Sequence, residues 1–296
     1  MSFNKIFVLG AGAIGSSYGA LLSRKNDVTL IGNKAHVDTI NSRGLTLSGN
    51  IQERFFVKAE TKIKEIPKKA LILLTTKAHD SAKAIKEIKD LLRKDTVILI
   101  LQNGLGNKEL VKGILGDKIP VIRGLVKIAA EFLEPGRITV WNGETILEQT
   151  ETGEGLAALF NESGLKARVS NEMDGEIWNK LIVNCVANPL TAVLQVRDNE
   201  IAVDSLRILR HGIVEECVKV GRCEGIAFQS DLKASIDKEI SKYTNFSSMC
   251  QDITKEKRTE IDFLNGKIVE LGKKHNIPAP INEAMICLIR FLEERT

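Results

Sequence analysis

Aromatic residues, disulfide-compatible cysteines, long apolar runs and charge of one sign are all scarce in this chain, and each shortage removes a class of function. Aromatics make up 5% of the 296 residues, too few to interleave with a basic stripe as a nucleic-acid groove requires. The 42 Lys and Arg against 38 Asp and Glu leave a formal charge of +4. That suits an anionic ligand but is far from the concentrated basic patch of a nucleic-acid binder. The five cysteines (Cys185, Cys217, Cys223, Cys250 and Cys287) are odd in number, include no CxxC pair and sit among apolar neighbours. Buried, reduced thiols in a cytoplasmic protein are expected. His36, His79, His211 and His275 have no partner at zinc-ligand spacing, so no metal is expected and each reads as a surface or turn histidine. Apolar runs such as Ala70 to Leu74 and Val97 to Leu101 fall far short of the roughly 18 residues of a membrane span. Nothing like a basic stretch with a cleavable apolar segment precedes Lys5 to Gly10, which also points to the cytoplasm and away from membranes.

The chain does have length and pattern. With 296 residues, 43% of them hydrophobic, it exceeds what one core usually absorbs, so two domains are expected. In the first half, Ile6 to Leu9, Val28 to Ile31, Ala70 to Leu74, Val97 to Leu101 and Val121 to Val126 are short runs rich in Val, Ile and Leu. They read as strands buried on both faces. Between them Ala13 to Lys25, Val37 to Arg43, Ser81 to Leu92 and Lys108 to Leu115 have helical spacing, and the alternation predicts a doubly wound parallel sheet. Arg137 to Val140 and Thr145 to Glu148 bracket Trp141-Asn-Gly-Glu144, a hairpin signal that predicts an antiparallel edge. After about Asn171 strand-like runs stop. Glu176 to Val196, Ala202 to Glu224, Asp231 to Ser241, Thr254 to Lys274 and Asn282 to Glu294 all read as helices.

Gly10-Ala11-Gly12-Ala13-Ile14-Gly15 follows the first strand and opens the first helix. Gly10 suits the tight turn, Gly12 lets a pyrophosphate approach the helix N-terminus, and Gly15 lets helix and strand pack closely. A purely structural glycine turn is the competing reading, and the position at the start of a βαβ unit disfavours it. The expected fold is therefore α/β: a Rossmann-type dinucleotide-binding domain over residues 1–170 and an all-α substrate and catalytic domain over 171–296. At the end of the second strand, where an NAD site usually carries Asp or Glu, the chain has Asn33 and then Lys34. A neutral donor beside a cation tolerates a 2′-phosphate that a carboxylate would repel, so NADPH is expected, with NADH the alternative if Lys34 is merely solvated. Lys77 and Asn103 follow the third and fourth strands, where ligands bind in open α/β sheets.

From Leu181 to Ala187 one helix is apolar except for Asn184, and Lys180, Asn184 and Asn188 recur every fourth residue along one face. Burying an ammonium and two amides without partners would cost several kcal/mol, so the stripe should line a polar cleft. The bland reading, an exposed face that happens to carry Lys and Asn, would use more Glu, Lys and Arg and be less narrow. Further on, Glu260 precedes Ile261, Phe263 and Leu264 and is either inward-facing or an ordinary exposed glutamate. A dinucleotide loop with a cleft lysine suggests carbonyl reduction, in which charge develops on oxygen and Lys180 protonates it while a carboxylate such as Glu260 holds the ammonium.

These segments resemble the ketopantoate reductase (2-dehydropantoate 2-reductase) family along the whole chain. The resemblance rests on Gly10 to Gly15, Thr76-Lys77-Ala, Gln102-Asn103-Gly104, Trp178-Asn-Lys180-Leu-Ile-Val-Asn184-Cys-Val-Ala-Asn188-Pro, and Ser247-Ser248-Met-Cys-Gln-Asp252 with Thr259-Glu260-Ile-Asp-Phe-Leu-Asn265-Gly266. It implies NADPH-dependent reduction of 2-dehydropantoate to (R)-pantoate, towards pantothenate and coenzyme A, with Lys180 as proton donor and Glu260 as its acidic partner. Asn184, Asn188 and Ser248 then match substrate-binding positions, and Asn103 and Lys77 match positions near the nicotinamide and ribose. Two places depart from the family pattern. Asn33 stands where the family commonly has Arg, and Asp198-Asn199-Glu200-Ile201 stands for an Asn-Gly-Glu-Leu motif. A reductase of another branched 2-oxo acid and a non-catalytic dinucleotide sensor are the alternatives. The expected partner is a small 2-oxo acid, and a homodimer is left open because helical second domains often supply dimer contacts.

Overall fold

A computed structural model describes residues 2–295. Its contacts divide the chain into two units, residues 1–102 with 106–173, and residues 103–105 with 174–296. In the first unit, strands β1 (Lys5–Leu9), β2 (Val28–Ile31), β5 (Lys58–Glu60), β6 (Ala70–Leu74), β7 (Val97–Ile100) and β8 (Val121–Val126) are mutually parallel. β11 (Thr145–Glu148) joins β8 antiparallel, and β12 (Ala167–Ser170) runs parallel to β11, which completes the order β12-β11-β8-β7-β6-β1-β2-β5. Every residue of β2, β6 and β7 is buried, as expected where apolar side chains pack on both faces of a sheet. Helices α1 (Ala13–Leu22), α2 (Lys34–Arg43), α3 (Ser81–Ile88), α4 (Asn107–Leu115) and α5 (Glu151–Glu162) make the connections.

The predicted hairpin is not formed. Arg137–Val140 (β10) pairs with β3 (Leu45–Gly49) and β9 (Ala130–Glu134) in a separate sheet, order β4-β3-β10-β9 with β4 (Glu53–Phe55), whereas Thr145–Glu148 belongs to the large one. A two-residue hairpin turn needs positive φ at its glycine, and neither Asn142 nor Gly143 has it. Here Trp141 N–H donates to Ala129 O (2.9 Å), Asn142 N–H to Asn50 Oδ1 (2.9 Å) and Lys127 N–H to Glu144 O (2.8 Å). The Asn-Gly pair thus carries the chain from one sheet to the other. His36 is also not a surface or turn histidine: it is fully buried, accepting at Nδ1 from Gly136 N–H (3.0 Å) and donating from Nε2 to Ser16 Oγ (3.0 Å). Burial lowers its pKa to about 4, so the ring is neutral and joins α2 to α1 and to the small sheet.

The second unit contains α6 (Met173–Leu194), α7 (Arg207–Cys223), α8 (Leu232–Ile240), α9 (Ser248–Thr254), α10 (Asn265–Lys274) and α11 (Pro280–Glu294), with no strand among its described residues. The expected helix from Thr254 to Lys274 is broken. Lys255 caps α9, Glu256 takes φ +52°, Lys257 N–H returns to Asp252 O (2.8 Å), and a 3₁₀ turn spans Ile261–Phe263. Likewise α7 begins at Arg207, after 3₁₀ turns at Asp198–Ile201 and Asp204–Leu206. Cys185, Cys217 and Cys250 are buried, but Cys223 and Cys287 are exposed on helix surfaces, which corrects the expectation of five buried thiols. Among the described residues no helix is long and apolar enough to cross a membrane.

Pro189 lies inside α6 and has no N–H to give the carbonyl of Cys185 one turn earlier. Asn265 Nδ2 supplies that bond (3.0 Å) and also reaches Asn282 Oδ1 (2.9 Å). Asn282 Nδ2 in turn donates to Glu216 Oε2 (2.8 Å), whose carboxylate accepts the N–H groups of Ile281 and Asn282 at the start of α11 (both 2.9 Å). A missing backbone donor is thereby repaired by a buried network that fixes the start of α10 against α6. Asn265→Ala would strip the Cys185 carbonyl of its donor and leave Asn282 Oδ1 only the weak thiol of Cys217 (3.7 Å), and its stability should fall by about 1–3 kcal/mol in urea unfolding at unchanged m-value; a loss within experimental error would refute this role.

Candidate active site

The glycine loop is shaped by close approach. Gly10 has φ +114°, and a Cβ there would lie 2.4 Å from Thr76 N. A Cβ on Gly15 would lie 2.2 Å from Gly10 O and 2.6 Å from Thr75 Oγ1, which itself donates to Gly10 O (2.9 Å). Gly12 differs from both: nothing lies within 4 Å of its would-be Cβ. As N-cap of α1 it offers no side-chain cap, and the first turn carries no acid, so the N–H groups of that turn have no intrahelical acceptor. Open space before unpaired donors and a helix dipole is what a pyrophosphate requires, and Ala11, Ala13 and Ile14 complete the loop without adding charge.

At the end of β2, Asn33 is the N-cap of α2 and its Oδ1 accepts His36 N–H (2.9 Å). Its amide oxygen is therefore occupied and its Nδ2 is the remaining donor. Lys34 opens α2 with its side chain 81% exposed and paired with Asp38 (2.7 Å); an exposed i,i+4 pair is weak and exchanges readily. Lys77 follows β6, half-buried. Beside it Gln102 Nε2 donates to Thr76 O (2.7 Å) and Ser81 Oγ (2.5 Å), which ties the loops that follow β6 and β7. Nothing in the sequence marks this role of Gln102 beyond its place before Asn103.

In the second unit the predicted stripe lies along α6, with Lys180 and Asn184 half-buried and Asn188 buried. Lys180 Nζ donates to Asn103 Oδ1 at 2.7 Å, so two residues 77 apart in sequence meet. Asn103 is held there by its neighbours: a Cβ on Gly104 (φ +85°) would lie 2.4 Å from Phe263 O, and Leu105 N–H reaches the same carbonyl (3.4 Å). Phe263 N–H bonds Glu260 O (2.9 Å), and Glu260 is buried, which settles the choice between inward-facing and exposed. Ser248 is the exposed first residue of α9. Among the described residues the side chains of Asn184, Asn188 and Ser248 have no protein hydrogen-bond partner, so their polar atoms remain available to a ligand.

A parallel sheet with an open glycine loop, and a helical unit that holds an ammonium on an amide oxygen, together define a dinucleotide-dependent oxidoreductase. Residues 6–151 match the family model described as ketopantoate reductase PanE/ApbA, and residues 172–293 match its C-terminal counterpart. The chain belongs to the ketopantoate reductase PanE/ApbA family. It is 38% identical over 299 residues to the 2-dehydropantoate 2-reductase of Pyrococcus horikoshii, covering 98% of this chain and 97% of that protein. The Aquifex aeolicus 2-dehydropantoate 2-reductase is 30% identical, at 98% and 97% coverage. Among solved structures, a PanE/ApbA family ketopantoate reductase from Ralstonia eutropha JMP134 superposes with TM-score 0.92 at 32% identity, covering 98% and 99% of the two chains. D-mandelate dehydrogenase with NADH and anilino(oxo)acetate superposes with TM-score 0.87 at 27% identity, over 98% and 99%.

The two loop glycines should separate folding from binding. Gly10→Ala should lower stability by about 2 kcal/mol or more, through strain at positive φ and a backbone clash. Gly12→Ala should keep the wild-type Tm while weakening NADPH binding at least about tenfold, roughly 1.4 kcal/mol. Equal dinucleotide affinity in Gly12→Ala and wild type, measured by calorimetry, would contradict the assignment of the loop.

Proposed function

We propose that the protein reduces the C2 carbonyl of 2-dehydropantoate to (R)-pantoate with NADPH, in the cytoplasm, on the way to pantothenate and coenzyme A. The observation that carries this reading is the full-length likeness to 2-dehydropantoate 2-reductases, joined to the bond between Lys180 and Asn103. When bound, NADPH supplies the hydride. Lys180 offers the positive charge of its ammonium to the carbonyl oxygen as charge develops there, and then its proton. Asn103 orients the ammonium through its Oδ1, and Glu260 is its acidic partner. Asn184, Asn188 and Ser248 offer amide and hydroxyl groups to the carboxylate and hydroxyl of the substrate.

Asn33 and Lys34 support NADPH over NADH, because neither repels a 2′-phosphate and both can donate to it at the start of α2. The three buried thiols suit a reducing compartment. Exposed Leu288 and Phe291 on α11 support a homodimer, which sedimentation at working concentration tests. The likeness to D-mandelate dehydrogenase favours, as second reading, a reductase of another branched or aryl 2-oxo acid. A panel of 2-oxo acids compared by kcat/KM separates the two: ketopantoate should be preferred, and NADPH over NADH. Lys180→Ala should lower kcat by about 10³-fold, within the range for a positioned acid, with the Kd for NADPH little changed. Unchanged kcat would overturn the proposal.

A further inference from the structure

The turn Asp198–Ile201 and the segment 243–248 are laced together within the helical unit. Asp198 N–H donates to Asn245 O (3.1 Å), Asn199 N–H to Tyr243 O (2.8 Å), Arg197 Nη1 to Thr244 O (2.6 Å), and Asn245 Nδ2 to Asp198 Oδ2 (3.1 Å). The far end of the segment is fastened to α6: Thr191 Oγ1, three residues after Asn188, donates to Ser247 Oγ (2.7 Å). Ser247 caps α9 by accepting Cys250 N–H (3.1 Å), and Ser248 follows directly. Asp198 is 6% exposed, and its Oδ1, like Asn199 Oδ1, is buried without a partner.

The charges around this carboxyl are all committed elsewhere. Arg197 stacks over Phe246 (5.0 Å) as well as bonding Thr244 O, and Glu200 accepts Arg197 N–H (2.8 Å). From α7, Arg210 serves the carbonyls of Ile201 and Val203 and the carboxylate of Asp237, which also takes His211. Tyr243 donates to Glu239 of α8 (2.8 Å), and Cys250 of α9 is a thiol that burial pushes up, with a smaller upward push from the Asp198 charge. No cation among the described residues pairs with Asp198. Burial pushes its carboxyl up to about 7, against a smaller opposing effect of the Asn245 amide.

We propose that protonated Asp198 holds the 243–248 segment against α6, and that its ionisation loosens this segment and so weakens the presentation of Ser248 to substrate. Asp198 is thus a positioning residue and a pH-sensitive one. The inference rests on the proposed substrate role of Ser248, and it predicts that affinity for the anionic substrate falls as the carboxyl ionises. A raised native pKa means that opening the segment releases a proton. Opening therefore becomes easier as pH rises from about 4 to about 7 and levels off above that.

Two measurements on the full-length protein decide the matter. In the first, hydrogen exchange at the amides of Asp198, Asn199, Cys250 and Gln251, corrected for intrinsic rate, should reveal opening about tenfold or more easier at pH 7 than at pH 5. The isosteric Asp198→Asn should abolish that dependence. In the second, kcat/KM of the wild type with ketopantoate should decline through KM as pH rises towards about 7 and level off above it, with kcat little changed. The decline should be absent in Asp198→Asn and moved to higher pH in Asn245→Ala, which removes the donor that lowers the carboxyl pKa. Exchange independent of pH in the wild type would overturn the switch. Exchange that responds to pH while KM does not would overturn its link to Ser248. The exchange measurement needs no substrate, so it stands even if ketopantoate is not turned over.

Discussion

A lysine ammonium taken half out of water needs an acceptor, and much of the helical unit is arranged around how that need is met. The stem of Lys180 lies on a helix whose neighbouring residues Leu181, Ile182 and Val183 are buried, so desolvation of the charge must be balanced locally. Asn103 provides the oxygen at 2.7 Å. It can do so because Gly104, with no side chain, lets the loop press against the carbonyl of Phe263, on the turn that Glu260 begins. The register of that turn depends on α10, whose first residue, Asn265, supplies the donor that Pro189 withholds from Cys185. The ammonium, its amide acceptor, the buried Glu260 and the amide stripe are thus set by one helix and the groups that repair its interrupted backbone.

The dinucleotide half follows a different constraint, that of close backbone approach. Three glycines within six residues would each meet a different fate if given a side chain: Gly10 would strike the backbone of Thr76, Gly15 would strike Gly10 O, and Gly12 would meet open space. Two glycines serve packing and one faces open space, a division that spacing alone does not reveal. Asn33 repeats the theme on a smaller scale, since its side chain caps α2 before it can contact anything else.

Much of this could be read from residue order. The buried parallel strands announced themselves as short runs of Val, Ile and Leu, because strands covered on both faces have no polar side to alternate with. The Lys180, Asn184, Asn188 stripe was visible because few polar residues interrupt an apolar helix. What escaped was whatever depends on partners distant in sequence. Strands β3, β4, β5, β9 and β12 are three to five residues long and carry polar side chains, so no local pattern marks them. The Asn142-Gly143 pair looks like a hairpin turn until Ala129 claims the N–H of Trp141 and Asn50 that of Asn142. His36 is buried because Ser16 and Gly136 satisfy both ring nitrogens. In the sequence Asp198 stands out only as part of a departure from the family pattern, and only the fold shows that its carboxyl is taken out of water.

Under the proposed function Lys180 and Asn103 act on the substrate as one unit, a proton donor and the group that aims it. A double-mutant cycle in kcat/KM with ketopantoate, using Lys180→Ala, Asn103→Ala and the double variant, tests this most directly. Removing Asn103 should cost heavily when Lys180 is present and far less when it is already gone. Additive losses, with Asn103→Ala as damaging in the absence of the lysine as in its presence, would contradict it.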